Sequence, residues 1–91
     1  MARVHLPEPL REAAGLPPVA DLPGATVAEV LAAVRKRWPE VGERLLSAPD
    51  RLALGVTVFV GQVDVRRRGG LLAQLAPGEE IHVIVPLLVG R

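Results

Sequence analysis

One segment limits the possible folds more than any other, because residues 26–38 predict a single amphipathic helix. Thr26 and Glu29 have the spacing of a capping box, in which a hydroxyl and a carboxylate bind the first free backbone N–H groups of a helix. The apolar residues that follow form one stripe at helical spacing, namely Val27, Val30, Leu31, Val34 and Trp38. Because Pro39 disfavours helical geometry at the preceding residue, the helix should end near Trp38. The rest of the chain must cover this stripe.

Five further segments have the patterns of β-strands, either apolar and polar residues in alternation or a run of β-branched residues. They are residues 3–6, 19–22, 54–60, 63–65 and 81–85. The first two should pair as a hairpin, with Pro7 and Pro9 ending the first strand and residues 15–18 forming a loop. Short helical turns are predicted at residues 41–46 and 71–75. An α+β fold, with one helix packed across a mixed sheet, is the economical way to bury the helical stripe.

The strand at residues 54–60 is apolar on both faces, which is typical of a central strand. Val56, Val58 and Val60 should face the helix, and Phe59 should face away from it. The chain has only two aromatic residues, and aromatic residues are enriched at interfaces, so Phe59 is a candidate for docking a partner. The alternative is that the tail or a second copy of the chain covers Phe59.

Composition excludes several classes of function. The 91 residues include no cysteine, which excludes disulfides, thiolate catalysis and cysteine-based zinc sites and fits a reducing cytoplasm. The net charge of +1 argues against nucleic acid or an anionic membrane as a partner. No apolar run approaches the roughly 20 residues that span a bilayer, and no secretory signal is expected. We expect one domain at residues 1–85 and a flexible tail at residues 86–91.

The residues that could carry catalysis or bind a metal have structural interpretations. His5 and His82 are the only histidines, and a metal site would need carboxylate partners for them. We therefore predict structural or surface roles for both histidines, with no metal site and no cofactor. Glu79 and Glu80 follow a Pro-Gly turn and predict a solvated hairpin corner. The spacing suggests no Ser-His-Asp grouping, so an enzyme is not predicted.

The sharpest charge cluster consists of Arg66, Arg67 and Arg68. The two glycines that follow could suggest a phosphate-binding loop, but the lysine and Ser/Thr that such a loop needs are absent. No aromatic residues accompany the arginines, so single-stranded nucleic acid lacks a stacking platform. A solvated loop is predicted, and an electrostatic docking patch for a partner protein is the alternative.

A series of short motifs covers almost all 91 positions in a consistent order and spacing. They are Thr26-Val-Ala-Glu-Val-Leu, Trp38-Pro39, Arg44-Leu-Leu, Val56-Thr-Val-Phe-Val60, Asp64-Val-Arg66, Gly69-Gly70-Leu71 and Pro77-Gly78-Glu. With this series the chain resembles the ubiquitin-like (β-grasp) sulfur carriers of the MoaD/ThiS family. The resemblance is greatest to the CysO-like branch, which feeds sulfur to cysteine synthesis. It implies a β-grasp fold and a carrier protein.

The resemblance also implies that the function lies at the free C-terminus. In the family the tail ends in Gly-Gly, and a partner that resembles ubiquitin-activating enzymes adenylates its carboxylate with ATP. Sulfide equivalents then displace AMP and leave a thiocarboxylate, from which a sulfur-accepting synthase takes sulfur for molybdopterin, thiamin, cysteine or thiolated tRNA. Glycine is needed because the tail passes through a narrow channel, where a Cβ would clash.

The tail of this chain departs from that pattern. It consists of Pro86, Leu87, Leu88, Val89, Gly90 and Arg91. Aligned from the last strand, Gly90 matches the terminal glycine and Val89 replaces the penultimate one. Aligned from the chain end, Gly90 is the penultimate glycine and Arg91 replaces the last. The implied sulfur-carrying residue is Gly90, after a protease removes Arg91. The alternative is a β-grasp interaction module that docks on a larger enzyme without carrier chemistry.

Overall fold

The computed structural model describes residues 1–48 and 51–85, and it describes Ala13 and Ala14 only in their backbone. Within these residues the helices are α1 (Glu8–Ala14), α2 (Val27–Arg37) and α3 (Pro39–Leu45). The strands are β1 (Ala2–His5), β2 (Val19–Leu22), β3 (Leu46–Ala48), β4 (Arg51–Leu52), β5 (Thr57–Val60), β6 (Val63–Asp64) and β7 (Glu80–Ile84). Two short 3-10 turns follow β6, at Val65–Arg68 and Gly70–Leu72.

Five strands form one mixed sheet in the order β2-β1-β7-β5-β6, and β3 and β4 form a separate small hairpin. The first and last strands, β1 and β7, are parallel, whereas the other pairs in the large sheet are antiparallel. The predicted mixed sheet and its N-terminal hairpin are therefore confirmed. The central strand is β7, and β5 lies between β7 and the two-residue edge strand β6. β5 is therefore an inner strand but not the central one, and its second face, which carries Thr57 and Phe59, is only half-buried.

Helix α2 begins and ends where the sequence predicts. The Thr26 hydroxyl accepts a hydrogen bond from the Glu29 N–H at 3.2 Å, and the Glu29 carboxylate accepts one from the Ala25 N–H at 2.7 Å. The helix ends at Arg37, and Pro39 begins α3. The predicted stripe is buried at Val27, Val30, Leu31 and Val34. The capping box and the proline thus set the two ends of the helix that covers the sheet.

The sheet has one covered face and one face without buried residues. Alternate strand residues point into the core, namely Ala2, Val4, Ala20, Leu22, Val58, Val60, Ile81 and Val83, and all are buried. The residues between them point to the other side and are exposed or half-buried. The predicted helical turn at residues 41–46 is part of α3, and its apolar residues Val41, Leu45 and Leu46 join the core. The core is therefore entirely aliphatic.

Helix α1 was not predicted, because its prolines and glycine also suit a loop. Pro9 lies in the first turn of the helix, where no intrahelical N–H bond is lost. Gly15 ends the helix with φ of 68°, a left-handed conformation that glycine adopts without steric cost. Leu10 and Leu16 are buried and tie this segment to the core. Pro9 and Gly15, which suggest a loop in the sequence, therefore mark the start and the C-terminal cap of a helix.

Three other segments differ from the sequence prediction. The strand predicted at residues 54–60 begins only at Thr57, because Leu54 lies in a turn and is 99% exposed. Val56 precedes the strand and is half-buried. Val65, predicted in the edge strand, begins a 3-10 turn and is buried. The predicted tail at residues 86–91 lies outside the described residues.

Candidate functional site

The C-terminal tail follows the central strand of the sheet in sequence. β7 ends at Ile84, where it pairs with Thr57 at the start of the antiparallel strand β5. On the other side, His82 pairs with His5 at the end of the parallel strand β1. The tail therefore starts at the edge where β1 ends and β5 begins. The residues of the tail itself, including Gly90 and Arg91, lie outside the described residues.

The sheet face that points away from α2 is here called the open face. Its residues are Val19 and Asp21 of β2, Arg3 and His5 of β1, Glu80, His82 and Ile84 of β7, and Thr57 and Phe59 of β5. None of these residues is buried. The open face ends at the point where the tail begins, so a protein that holds the tail can contact this face as well.

The predicted orientation of Phe59 is confirmed. Its neighbours Val58 and Val60 are buried in the core, whereas Phe59 is half-buried on the open face. Strand register places Phe59 beside His82, and His82 beside His5. The docking role of Phe59 stays a prediction.

Three exposed apolar residues, of which Val19 and Ile84 lie on the open face, were not predicted as site residues. Ile84 is 51% exposed at the end of β7, and Val19 is 38% exposed at the start of β2. Leu54 is almost fully exposed in the turn that leads into β5. The sequence alone does not distinguish Leu54 from the strand residues that follow, because Leu54 belongs to the same apolar run. With Phe59, the side chains of Val19 and Ile84 give the open face apolar contact area.

A compact polar cluster lies in the middle of the open face. The imidazole rings of His5 and His82 are stacked, with centroids 4.1 Å apart and an angle of 14° between the planes. His5 Nε2 lies 2.6 Å from Glu80 Oε1. The hydrogen bond with His5 is the largest cause that lowers the pKa of the Glu80 carboxyl below its usual 4.5, and nearby His5, Arg3 and His82 charges add to it.

The sequence interpretation named no carboxylate partner for the histidines and placed Glu80 in a solvated corner, whereas the exposed Glu80 is the first residue of β7 and lies beside His5. Glu80 and His82 are two residues apart on one strand and so share a face. His5 joins them because β1 and β7 are parallel neighbours, although His5 and Glu80 are 75 positions apart in sequence. The spacing of Glu80 and His82 was a local signal, but the position of His5 follows only from strand order.

Glu79 is also more than a solvated corner. Its carboxylate accepts hydrogen bonds from the Ala76 N–H at 2.9 Å and from Arg68 at 3.1 Å. These two hydrogen bonds lower the pKa of the Glu79 carboxyl below its usual 4.5, with the Ala76 bond as the larger cause. Glu79 therefore connects the turn before β7 to the 3-10 turn that contains Arg68.

The arginine cluster is partly neutralised by its own chain, and its predicted loop is the 3-10 turn after β6. Asp64 caps this turn by accepting the Arg66 N–H at 2.9 Å, and it also forms an ion pair with the Arg66 guanidinium at 2.9 Å. Arg68 pairs with Glu79. Arg67 forms no ion pair with the described residues. A charged docking patch at this edge would therefore depend on Arg67 more than on its neighbours.

The chain has relatives that match it over nearly its whole length. The sulfur carrier protein CysO of Mycobacterium tuberculosis is 30% identical to it over 89 residues, which cover 96% of this chain and 95% of that protein. The sulfur carrier protein CysO of Mycobacterium bovis gives the same values. This chain belongs to the CysO family of sulfur carrier proteins. No family model matches the chain.

Solved structures agree with the CysO family assignment and identify the fold as β-grasp. The crystal structure of Mycobacterium tuberculosis CysO has a TM-score of 0.83 and 27% identity, over 96% of this chain and all of that one. A chain of the Amycolatopsis orientalis BexX/CysO complex has a TM-score of 0.85 and 29% identity, over 99% of this chain and all of that one. Small archaeal modifier protein 1 from Methanosarcina acetivorans has a TM-score of 0.83 and 26% identity, over 98% and 95%.

The CysO family assignment confirms the predicted fold class and the predicted kind of protein. Proteins of the CysO type are small carriers and not enzymes themselves. The Amycolatopsis orientalis structure is a complex, so at least one CysO acts together with another protein. Within residues 1–48 and 51–85 of this CysO family member, no helix is long and apolar enough to cross a membrane.

Proposed function

We propose that this chain carries sulfur as a thiocarboxylate on Gly90, formed after Arg91 is removed. The observation that supports the proposal most is the match to sulfur carrier proteins over 89 residues. The position of β7 adds to it, because a central strand anchors the start of the tail on both sides. We further propose that the carrier works in the cytoplasm, where ATP is available.

The proposed chemistry needs only the C-terminal carboxylate of the chain. On an adenylating enzyme, a carboxylate oxygen attacks the α-phosphorus of ATP, and the bond to pyrophosphate breaks to leave an acyl-adenylate. A sulfide equivalent then attacks the carbonyl carbon, and AMP leaves with the bonding electron pair. The product is a thiocarboxylate, whose sulfur passes to a synthase. Among the possible recipients, cysteine synthesis is favoured by the CysO relatives.

In this proposal the open face docks on the adenylating enzyme while the tail enters its active site. Phe59 is the aromatic anchor, and the exposed side chain of Ile84 extends the apolar contact to the end of β7. Anchors of this kind carry most of the binding energy of an interface, whereas charges at its rim contribute less. Arg67 is the rim charge that we expect to contribute most, because Arg66 and Arg68 already have acidic partners.

The proposal is tested by ATP–pyrophosphate exchange with the adenylating enzyme of the same host. Three chains are compared: one that ends in Arg91, one that ends in Gly90, and a Gly90-ended chain with Val89→Gly. We expect the Arg91 chain to be a poor substrate, because a long side chain occupies the narrowest part of the channel. The Gly90 chain should be activated better, and Val89→Gly should improve activation again, because glycine lets the extended tail pass.

Each outcome of this assay has a defined meaning. Equal exchange for the Arg91 and Gly90 chains would show that Arg91 does not need to be removed. No exchange with any of the three chains, all folded by circular dichroism, would reject the carrier proposal. The intact mass of the protein from its own host is an independent check, because removal of Arg91 lowers the mass by one arginine residue.

One sequence feature favours the alternative of an interaction module without carrier chemistry. Val89 stands next to Gly90, so neither alignment of the tail gives the paired glycines of the family pattern. A module of this kind would dock through the open face and would not need a free glycine carboxylate. It predicts binding to the larger enzyme that is equal for all three chains, with no exchange for any of them.

A further inference from the structure

The side chains of His5, Glu80 and His82 form a cluster that takes no part in the proposed carrier reaction. The two histidines are the only imidazoles in the chain, and the chain has no cysteine. One ligand atom from each of the three side chains lies within 4.8 Å of the other two. The side chains of His5 and Glu80 are 32% and 49% exposed, so an ion from solvent can reach them.

We propose that His5, Glu80 and His82 form a binding site for a divalent transition-metal ion, with Zn²⁺ as the expected ion. Two imidazoles and one carboxylate are a ligand set that proteins use for zinc, with a fourth position left for water or another ligand. Imidazole also suits copper and nickel, whereas magnesium and calcium prefer sites made only of oxygen atoms. The proposal concerns the isolated chain and does not rest on the proposed carrier function.

The backbone places the three ligands before any ion binds. His5 and His82 are direct register partners on β1 and β7, and Glu80 is on the same face two residues before His82. β1 and β7 each have a strand on both sides, so hydrogen bonds of the sheet hold the Cα positions of all three. Only side-chain torsions remain to be adjusted, which keeps the entropic cost of forming the site low.

The required adjustment is small. Zinc binds nitrogen and oxygen ligands at about 2.0–2.2 Å, which places ligand atoms of a tetrahedral site roughly 3.3 Å apart. The three ligand atoms already lie within 4.8 Å of one another, so their separations must change by about 1.5 Å at most. The two rings must also tilt out of their stacked arrangement, so that both nitrogen lone pairs point at one ion.

In the structure, a hydrogen bond joins two of the three proposed ligands, His5 and Glu80. His5 Nε2 and Glu80 Oε1 are 2.6 Å apart, so they share one proton in a hydrogen bond. A metal ion would replace that proton, and Glu80 would then bind the ion instead of the ring. Arg3 lies beside Glu80 in the strand register and opposes a cation, but Asp21 pairs with Arg3 at 3.6 Å and offsets part of its charge.

The site lies inside the surface that we propose for docking. Strand register places His82 directly beside Phe59, and none of the three ligand residues is buried. An ion at this position would therefore be accessible to a side chain of a protein docked on the open face.

The test is a titration of the full chain, purified without a histidine tag and freed of metal, with Zn²⁺ in a calorimeter at neutral pH. Co²⁺ absorption in the visible range reports the coordination geometry. The variants are His5→Asn, His82→Asn and Glu80→Gln. Glu43→Gln is the matched control, because it removes an exposed carboxylate of α3, which does not belong to the sheet. Thermal unfolding of each variant shows that the fold is retained.

We expect one Zn²⁺ per chain, binding at least about tenfold weaker in each of the three variants, and unchanged binding in Glu43→Gln. The proposal would be overturned if His5→Asn combined with His82→Asn bound Zn²⁺ as well as the unchanged chain does. One ion per two chains would also overturn it, because the ligands would then come from two copies. If a variant fails to fold, the ring nitrogen NMR signals of the unchanged chain decide. Both histidines must shift on Zn²⁺ addition, and a shift of neither rejects the site.

Discussion

The two faces of the five-stranded sheet differ in residue type and in burial. The covered face carries only Ala, Val, Leu and Ile, and all of its residues are at most 8% exposed. The open face carries an aromatic ring, two imidazoles, carboxylates and an arginine, and none of them is buried. Among the described residues, the structure buries no polar or charged side chain at all. All specific chemistry of this small carrier therefore lies on its surface.

This difference separates the requirements of folding from those of function. A covered aliphatic face needs only apolar residues of suitable volume, and several combinations of Val, Leu and Ile can fill the same space. The open face contributes little to the core, so its residues are free to be selected for contacts with other molecules. The following substitutions test whether the two faces are as separate as the structure indicates.

The largest effect is expected for Leu31→Ala on the covered side. Leu31 is 1% exposed on α2, so its truncation removes buried methyl groups and leaves a cavity. We expect a loss of about 2–5 kcal/mol in the free energy of unfolding, measured by urea denaturation. Leu72→Ala is the matched control, because Leu72 is 73% exposed and should cost less than about 0.5 kcal/mol. A loss below about 1 kcal/mol for Leu31→Ala, with the fold intact, would contradict the assigned orientation of the helix.

The orientation of Leu31 is a feature that the sequence alone predicted. The capping box at Thr26, the helical spacing of the apolar residues and Pro39 are all local signals. Local signals can be recognised in the sequence without knowledge of the fold. Helix α1 was missed because Pro9 and Gly15 have the same local appearance at a helix boundary as in a loop. The separation of the covered face from the open face followed from alternation in β5, where Val58 and Phe59 point in opposite directions.

The polar cluster on the open face could not be predicted in the same way. His5 and Glu80 meet because the first and last strands are parallel neighbours, and no local pattern encodes that pairing. The resemblance to sulfur carriers implied the fold, but the pairing of individual residues across β1 and β7 requires the register. The contact between Glu79 and Arg68 could not be predicted for the same reason, because it joins two residues in different turns, 11 positions apart in sequence.

A smaller effect is expected for a pair of neighbours in β5, Val58 and Phe59. Val58 is fully buried, and Val58→Ala should cost about 2 kcal/mol of stability. Phe59→Ala removes a larger side chain but should cost only about 1 kcal/mol, because the ring is half-buried on the open face. Urea denaturation of both variants compares the two faces at adjacent positions.

The same pair distinguishes folding from docking. Phe59→Ala should weaken binding to the adenylating enzyme by about tenfold or more, as expected for an aromatic anchor, whereas Val58→Ala should leave binding nearly unchanged at a temperature where it is folded. Binding is measured by calorimetry with the activating enzyme of the same host. If Phe59→Ala lowers stability more than Val58→Ala and leaves binding intact, the open face is part of the core and the proposed docking surface is wrong.

The smallest effect is expected at the edge of the sheet, where Asp64 binds Arg66. The carboxylate of Asp64 accepts the Arg66 guanidinium and the Arg66 backbone N–H, and these hydrogen bonds, the guanidinium first, lower the pKa of Asp64 below its usual 3.8. A carboxyl whose pKa is lower in the folded chain stabilises the fold while it is ionised. This contribution is complete above the unfolded pKa, near pH 4, and is lost as the pH falls through the lower folded value.

Asp64→Asn isolates the charge from the cap, because the amide oxygen can still accept the Arg66 N–H. The difference in unfolding free energy between the unchanged chain and Asp64→Asn should be constant from pH 7 to about pH 5 and should shrink toward zero below about pH 4. Arg66 is 76% exposed, so the effect should be small and should weaken with added salt. Lys36→Ala is the control, because it removes an exposed basic side chain of α2 and should not change the pH profile. A difference that stays constant down to pH 2 would show that Asp64 acts through packing or capping. In that case the charged edge would not contribute to stability, and Arg66 would be available to a partner in the same way as Arg67.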